Sequence, residues 1–435
     1  MRVSTSTAMI GRGSDAAAVP VYLRLAVLAF AALLAVMACA FADAQTEQAV
    51  PRTNLQVTLW ESGIAGEREA LSQLLFSFQH VNPDVIVCIE WKDAGLQADW
   101  VTRWCGDYRT YAPDLTVMGE QLAWQRRHDL LALPEDLARE LRQSYDPAVM
   151  RRLPGPARGI PWRVSTRALY YRPDLLTSAE LAVPASLEEL AACAEALADP
   201  PHHYGLGVPR PLGGGEELLH ALGRAQGAVQ LQEAQAGPTL SDGSSEERRN
   251  TRPDYEGALE SLVHMQSRGA LQPEILTWSE SELVELFAQG RLAMMIAPIG
   301  AAQMLRGMED LPEWAVAPLP MADGGSGALE TQWLVAFGDT DRQEAAVRLM
   351  SYLAEKESQR MLAMVASVPA MRELMEELSA TPPWSAHIGG LREAEGVPLA
   401  DWERLRPLLG DALVYALSGR KTPREALAEA MEIAE

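Results

Sequence analysis

Lysine is nearly missing from this chain: of its 37 basic residues three are lysines, Lys92, Lys356 and Lys421. With 59 acidic residues the formal net charge is −22. A surface of that sign repels phosphate backbones, so no nucleic acid is expected as a partner. Cysteine is scarce too. The four, Cys39, Cys88, Cys105 and Cys193, form no C-x-x-C pair and no zinc spacing, so neither a metal centre nor a disulfide scaffold is expected. The usual catalytic signatures are absent: there is no Gly-x-Ser-x-Gly elbow, no phosphate loop and no His-Glu-x-x-His. The tandem His202-His203 lacks a nearby third ligand at metal spacing. Paired carboxylates are plentiful, but so many acidic residues make chance pairs uninformative. The expectation is a protein that is not an enzyme and carries no cofactor.

What is present points first to export. Arg2, Arg12 and Arg24 precede Leu25–Ala42, a run without a charge, and small residues follow at Ala40-Phe41-Ala42 and Ala42-Asp43-Ala44. A positive start, an apolar middle and an A-x-A site are the parts of a secretory signal, placed here at residues 1–44. Such a run is also long enough for an uncleaved anchor. Val36-Met37-Ala38-Cys39 partly resembles a bacterial lipobox, with valine where leucine is usual, which makes Cys39 a candidate for lipidation. The expected location is the periplasm, or the outer face of the cytoplasmic membrane with a lipid anchor as the only membrane contact. Without Cys39 three thiols remain, enough for one disulfide at most. Cys88–Cys105 is conceivable in an oxidising compartment, but sequence does not set its geometry.

The 435 residues exceed one ordinary core and suggest two domains. Leu55–Trp60 reads as a strand, Leu71, Leu74, Leu75 and Phe78 recur at helical spacing, and Asn82-Pro83-Asp84 is a turn into a strand at Val85–Trp91. A helix around Ala98–Tyr108 and a strand at Leu115–Met118 continue the alternation. That rhythm predicts α/β architecture with mainly parallel sheets covered on both faces. Ser186 with Glu189, Ser279 with Glu282 and Thr422 with Glu425 fit capping boxes at later helix starts. Gly290 is placed to end a helix before a buried strand at Leu292–Ile296, and the polar stretch Gln232–Pro253 reads as a surface loop.

Several segments, in order, resemble family 1 extracellular solute-binding proteins of ABC importers, the maltodextrin-binding-like group. They are Val57-Thr58-Leu59-Trp60 with Gly66 and Asn82-Pro83-Asp84; Ala112-Pro113-Asp114-Leu115; Gly159-Ile160-Pro161-Trp162 with Ala168-Leu169-Tyr170-Tyr171-Arg172-Pro173-Asp174; Phe287-Ala288-Gln289-Gly290-Arg291-Leu292; Val316-Ala317-Pro318-Leu319-Pro320; and Leu417-Ser418-Gly419-Arg420-Lys421-Thr422-Pro423. The resemblance implies a two-lobed periplasmic-binding-protein-like fold, with the ligand between the lobes and a hinge joining them. It implies crossings just after Pro161-Trp162, near Val316–Pro320 and near Met361–Pro369. Lobe one is then 50–162 with 317–362, and lobe two 163–316 with 363–435. The implied partners are a small molecule, carbohydrate by class, and the permease subunits of an importer, for a receptor that works as a monomer.

Sugar binding needs flat apolar faces and a few placed polar groups. Trp60 closes the first strand and is followed by Glu61, Ser62 and the helix start at Glu67. Glu120 follows another strand and Trp124 lies on the next helix, while Trp162 and Arg163 occupy the expected hinge. Loops at these places line the cleft in the family. Trp333 is a further candidate wall, and each tryptophan has an alternative place in an ordinary core. Glu67 has an equally simple role as a first-turn carboxylate opposing the helix dipole. Where many relatives carry a proline-tryptophan that stacks on sugar, this chain has Pro298-Ile299. Ile299 therefore offers no ring, and Trp384, Trp402 and Arg406 are candidates to compensate. Two other functions stay open: a ligand-sensing or scaffold protein uncoupled from transport, which genomic neighbours would distinguish, and a glycoside-processing enzyme.

Overall fold

A computed structural model of the protein describes residues 52–432, apart from 62–65, 153–156, 212–213, 236–252, 321–328 and 394–398. The expected signal segment with Cys39, the residue Ser62 and most of the expected loop at 232–253 lie outside the described residues. Among those described, no helix is long and apolar enough to cross a membrane.

The strands are β1 (Thr53–Glu61), β2 (Val85–Asp93), β3 (Leu115–Gly119), β4 (Gly159–Ser165), β5 (Arg167–Tyr171), β6 (Tyr204–Gly207), β7 (Leu292–Pro298), β8 (Ala315–Pro318) and β9 (Glu330–Ala336). They form two sheets, β2-β1-β3-β9-β4 in lobe one and β6-β7-β5-β8 in lobe two. The helices used below are α1 (Glu67–Val81), α2 (Glu120–Gln125), α3 (Gly215–Gln235), α4 (Glu280–Ala288), α5 (Gly300–Arg306), α6 (Lys356–Ala366), α7 (Arg372–Leu378), α8 (Trp384–Glu393), α9 (Leu399–Leu417) and α10 (Pro423–Glu432).

The expectation of mainly parallel sheets is corrected. β1 runs parallel to β2 and β3, but β9 is antiparallel to both β3 and β4. In lobe two only β6 and β7 run parallel, and β5 is antiparallel to β7 and β8. A parallel pair needs a crossover that returns to the start of the same sheet. β9 instead enters lobe one from lobe two. It starts at the edge where β1, β3 and β4 end, so it must run against them.

The lobe boundaries follow from which core receives each segment. β4 stays in the first sheet to Ser165 and β5 begins in the second at Arg167, so Thr166 alone joins them, a little beyond the expected crossing. β5 then faces two cores: Leu169 packs with Leu206, Met294 and Leu409, whereas Ala168 and Tyr170 pack with Phe287, Leu292 and Met295. Residues 363–378 were expected in lobe two. Instead Ala363, Val368, Leu374, Met375 and Leu378 join Leu55, Leu115 and Val335 in the lobe-one core. α8 straddles the boundary, with Ile388 in the lobe-one core and Ala386 in lobe two, and α9 and α10 belong to lobe two through Leu409, Leu413 and Ala426. Helical spacing shows that a segment has an apolar face but not which core takes it.

Local signals held well. Ser279 and Glu282 form a reciprocal capping box on α4, and Glu425 accepts from the Thr422 backbone N–H at 3.0 Å. At Ser186 the box is displaced: Glu189 accepts from the N–H of Ala185 instead. Cys88, Cys105 and Cys193 are free thiols, so the conceivable Cys88–Cys105 bridge is not formed.

Candidate functional site

The carboxyl ends of β1, β3 and β4 and the start of β9 share the edge of lobe one that faces lobe two. Ligands of open α/β sheets sit at such an edge. Gly119 ends β3 and Glu120 immediately opens α2, so a carboxylate is delivered at the strand end. Glu120 is paired twice to Arg152, with Nε donating at 2.9 Å, and both residues are at least nine-tenths buried. The Thr331 backbone N–H also donates to this carboxylate. Burial nonetheless pushes the Glu120 carboxyl up, against the pull of Arg152, and Glu217 of the other lobe adds to the rise.

Lobe two brings two helix starts to the same place. Glu216 and Glu217 lie in the first turn of α3, and Glu280 opens α4, positions where a carboxylate opposes the helix dipole. Between them stands Arg167, 3% exposed at the start of β5. Its two terminal nitrogens reach Glu280 and, across the lobe boundary at 3.3 Å, Glu330. Burial alone would lower the Arg167 pKa, but Glu280, Glu330 and Glu217 outweigh it and the net direction is up. The half-exposed Glu330 is pushed up to about 7, first by desolvation and then by Glu217, Glu280 and Glu120, with Arg167 opposing. Gly214 makes this approach feasible. Its φ is +108°, and a Cβ there would lie 2.2 Å from Glu280 Oε1 and 3.0 Å from Arg167 Nη2.

Several buried polar atoms of this network have no hydrogen-bond partner. They include Glu217 Oε2, Arg167 Nε and Thr331 Oγ1. Arg406 Nε lies 3.0 Å from Glu217 Oε1, close enough for charge attraction, yet its N–H makes no hydrogen bond. α2 of lobe one touches α9, which carries Arg406, so the network bridges both lobes.

The expected site residues divide. Arg163 pairs with Glu67 and reaches Gln332 at 3.4 Å, and these two line a small cavity with Trp162, Leu362 and Ser367. Trp60 is buried in lobe one; its indole N–H donates to the Val117 carbonyl at 2.7 Å and its ring lies 6.0 Å from Trp104. Trp124 lies under the Arg127 guanidinium at 4.1 Å. Trp333 is fully buried, with an indole N–H that has no partner. Ile299, at the end of β7, packs into the lobe-one core. Glu61 is the last residue of β1. Trp384 is buried and donates to the Ala363 carbonyl at 3.2 Å. Arg152, Arg167, Glu217, Glu280 and Glu330 were not anticipated. A signal existed for two of them: Arg167 is a lone charge opening an apolar strand, and Glu217 follows the glycines at 213–215 that precede a helix.

Among the described residues no group of His, Cys, Asp or Glu is arranged to hold a metal ion. No curated protein matches the chain by sequence. Solved structures resemble it in fold. The GacH receptor of Streptomyces glaucescens, studied unliganded and with acarbose, is 19% identical over 88% of this chain and 98% of its own, with a TM-score of 0.71. Maltose-bound MalE3 of T. maritima is 19% identical over 87% and 99%, also with a TM-score of 0.71. An ABC transporter solute-binding protein of Agrobacterium vitis with bound D-mannitol is 18% identical over 88% and 97%, with a TM-score of 0.68. At such identities they establish a shared two-lobed fold. The sequence model of bacterial extracellular solute-binding proteins matches residues 112–360, more than half the chain, and the chain belongs to that family.

Proposed function

We propose that this protein captures a polyhydroxylated solute, a carbohydrate or polyol, between its lobes and presents it to an ABC importer. The observation that carries this reading is the mixed donor and acceptor character of the unpartnered polar atoms buried between the lobes. Glu217 Oε2 accepts, Arg167 Nε and Arg406 Nε donate, and Thr331 Oγ1 does either. A sugar hydroxyl also donates and accepts, so it satisfies both kinds. A purely cationic ligand would leave the guanidinium N–H groups unmet, and an anion would face the carboxylates. Glu67, Glu120, Trp162 and Arg163 stand on the same side of lobe one and complete the proposed wall. The one-residue link at Thr166, one of the crossings between the lobes, supplies a place for them to hinge. The acarbose, maltose and mannitol ligands of the structural relatives fit the same class.

A thermal-shift series with sugars, polyols, phosphodiesters, polyamines and oligopeptides tests this. A ligand bound only by the native state adds about 2.7 kcal/mol of stability at a hundred times its Kd. At least one sugar or polyol should raise Tm accordingly. A response confined to the phosphodiesters or peptides would refute the reading. Release of sugar from added glycosides would favour an enzyme instead.

We further propose that the mature chain acts as a monomer outside the cytoplasm, because of the positive start, apolar run and A-x-A sites at its N-terminus. Intact mass of the exported protein should show acylation at Cys39 or a start near Asp43 or Gln45. A membrane-bound chain that retains Met1 would contradict it.

A further inference from the structure

We infer that α5 latches the two lobes together before any solute arrives, with Ile299, Gln303 and Arg306 as the latch. The inference goes beyond the capture reading and holds whichever solute binds. α5 grows from lobe two, and one of its faces stays there: Ala301, Ala302 and Leu305 pack with Phe287 and Met295. Ile299, Gln303 and Arg306, spaced four and three apart, share another face, and that face meets lobe one. Ile299 is buried in the lobe-one core. Gln303 Nε2 donates to the Met364 carbonyl of α6 at 2.6 Å. Arg306 Nη2 donates to the Pro382 carbonyl at 3.3 Å, and its guanidinium lies 5.5 Å from the ring centre of Trp384, the first residue of α8. Trp384 and Ala363 of α6 both belong to the lobe-one core.

A contact beside a hinge is either a pivot about which the lobes turn or a latch that must let go. Arg167 pairs with Pro298 in the β5–β7 ladder, so the seam begins at Ile299 beside the joint at Thr166. It then runs away from the joint. Helical rise carries Arg306 about 10 Å beyond Ile299. A turn of about 15° about the joint moves a point that far out by about 3 Å. The hydrogen bonds of Gln303 and Arg306 do not survive such a slide. The same turn draws Ile299 out of apolar surroundings towards water. The lobes also meet on the cleft side, where Arg167 reaches Glu330 at 3.3 Å and α2 touches α9. All these contacts are made by the protein with itself. A solute then reaches its site only in the open fraction of molecules, so the latch slows entry.

Small-angle scattering in buffer without sugar or polyol tests this, on mature protein shown by native mass spectrometry to carry no small molecule. A compact chain of this size has a radius of gyration of about 21 Å. The native protein should give the profile of the structure with its lobes in contact. The double variant Gln303→Ala, Arg306→Ala, which leaves the cores untouched, should expand by about 1 Å, and so should Ile299→Ala. A Tm taken alongside separates an opened variant from an unfolded one, and expansion of either folded variant supports the latch. A native protein that is already expanded overturns the inference. So do folded variants whose profiles coincide with the native one, which would make α5 a pivot. If Ile299→Ala does not fold, the double variant decides.

Discussion

Replacing Arg167 with methionine should cost about 3–5 kcal/mol of folding stability, because the substitution removes one partner of a buried ion network and leaves the others in place. Arg167 is 3% exposed, and Glu280, Glu330 and Glu217 all act on it. Methionine fills a similar volume, so the loss is electrostatic and little of it comes from a cavity. The carboxylates left behind would repel one another across the lobe boundary. Arg167→Lys should recover part of the loss, since it keeps the charge but cannot hold Glu280 and Glu330 from one planar fork. The triple variant Arg167→Met, Glu280→Gln, Glu330→Gln should recover more, because removing a whole buried network is cheaper than breaking it. Urea unfolding of the four proteins checks this order. A single methionine variant as stable as the native protein would mean the network is solvated well enough to be indifferent to its cation. The expected loss contrasts with that at Lys356, whose partners Glu373 and Glu377 sit at the surface. There a double-mutant cycle should show almost no coupling, because solvent screens the pair.

Arg167 also shows why the candidate site was only partly legible in the sequence. A strand that opens with a charge is visible, but its partners stand 113 and 163 residues further along. No local pattern announces them. Glu120 was legible because its signal is local: a buried strand ends and a helix begins, so a carboxylate there must lie at the sheet's edge. Trp60 lies one residue before the end of its strand, close to where the sequence puts it, yet strand position does not fix what the side chain meets. The Val117 carbonyl, one strand away, takes its N–H. The fold followed the same division. β1, α1, β2 and β3 have apolar periods contained within the segment, and they lie where those periods put them. The direction of β9 and the lobe that holds α7 depend on where the chain has just been, which composition and period do not encode. Ile299 joins both cases. It follows a strand of lobe two that the sequence announced, and its side chain packs in the core of lobe one.

Acid should destabilise the protein well above the pH at which ordinary surface carboxylates begin to protonate, and two buried histidines are the cause. His387, on α8, is fully buried against the lobe joint. Its Nδ1 lies 2.9 Å from the Thr166 carbonyl, so that nitrogen carries the proton, and its Nε2 faces the Tyr170 hydroxyl at 3.1 Å. The same hydroxyl also lies 3.1 Å from the Pro298 carbonyl, which its one proton does not serve while it donates to Nε2, and the Thr166 hydroxyl donates to the His387 carbonyl at 2.9 Å. The ring thus ties α8 to Thr166 and β5 as a neutral group, with no carboxylate bonded to it. Burial holds its pKa down to about 3. His220, on α3, is likewise held at about 3 by burial, helped by Arg224 and Arg152. Above the unfolded value of about 6.5 neither histidine matters, because both states are neutral. Below it the unfolded chain takes up protons that the native chain refuses. Stability is therefore lost as pH falls from 6.5 towards 3, by about 2 kcal/mol per histidine at pH 5. Glu330 works the other way: its carboxyl, raised to about 7, takes up a proton in the native state first and gains stability as pH falls through that value. Half its side chain remains open to water, so solvent screening leaves it smaller than the two histidines together. The net result between pH 7.5 and pH 5 should be a loss of a few kcal/mol. His387→Gln should be less stable than the native protein at pH 7.5, having lost its fitted hydrogen bonds, but its stability should fall by about 2 kcal/mol less on going to pH 5. His220→Gln should behave in the same way. Urea unfolding at the two pH values reads both quantities, and equal pH dependence in the native protein and both variants would assign acid lability to other groups.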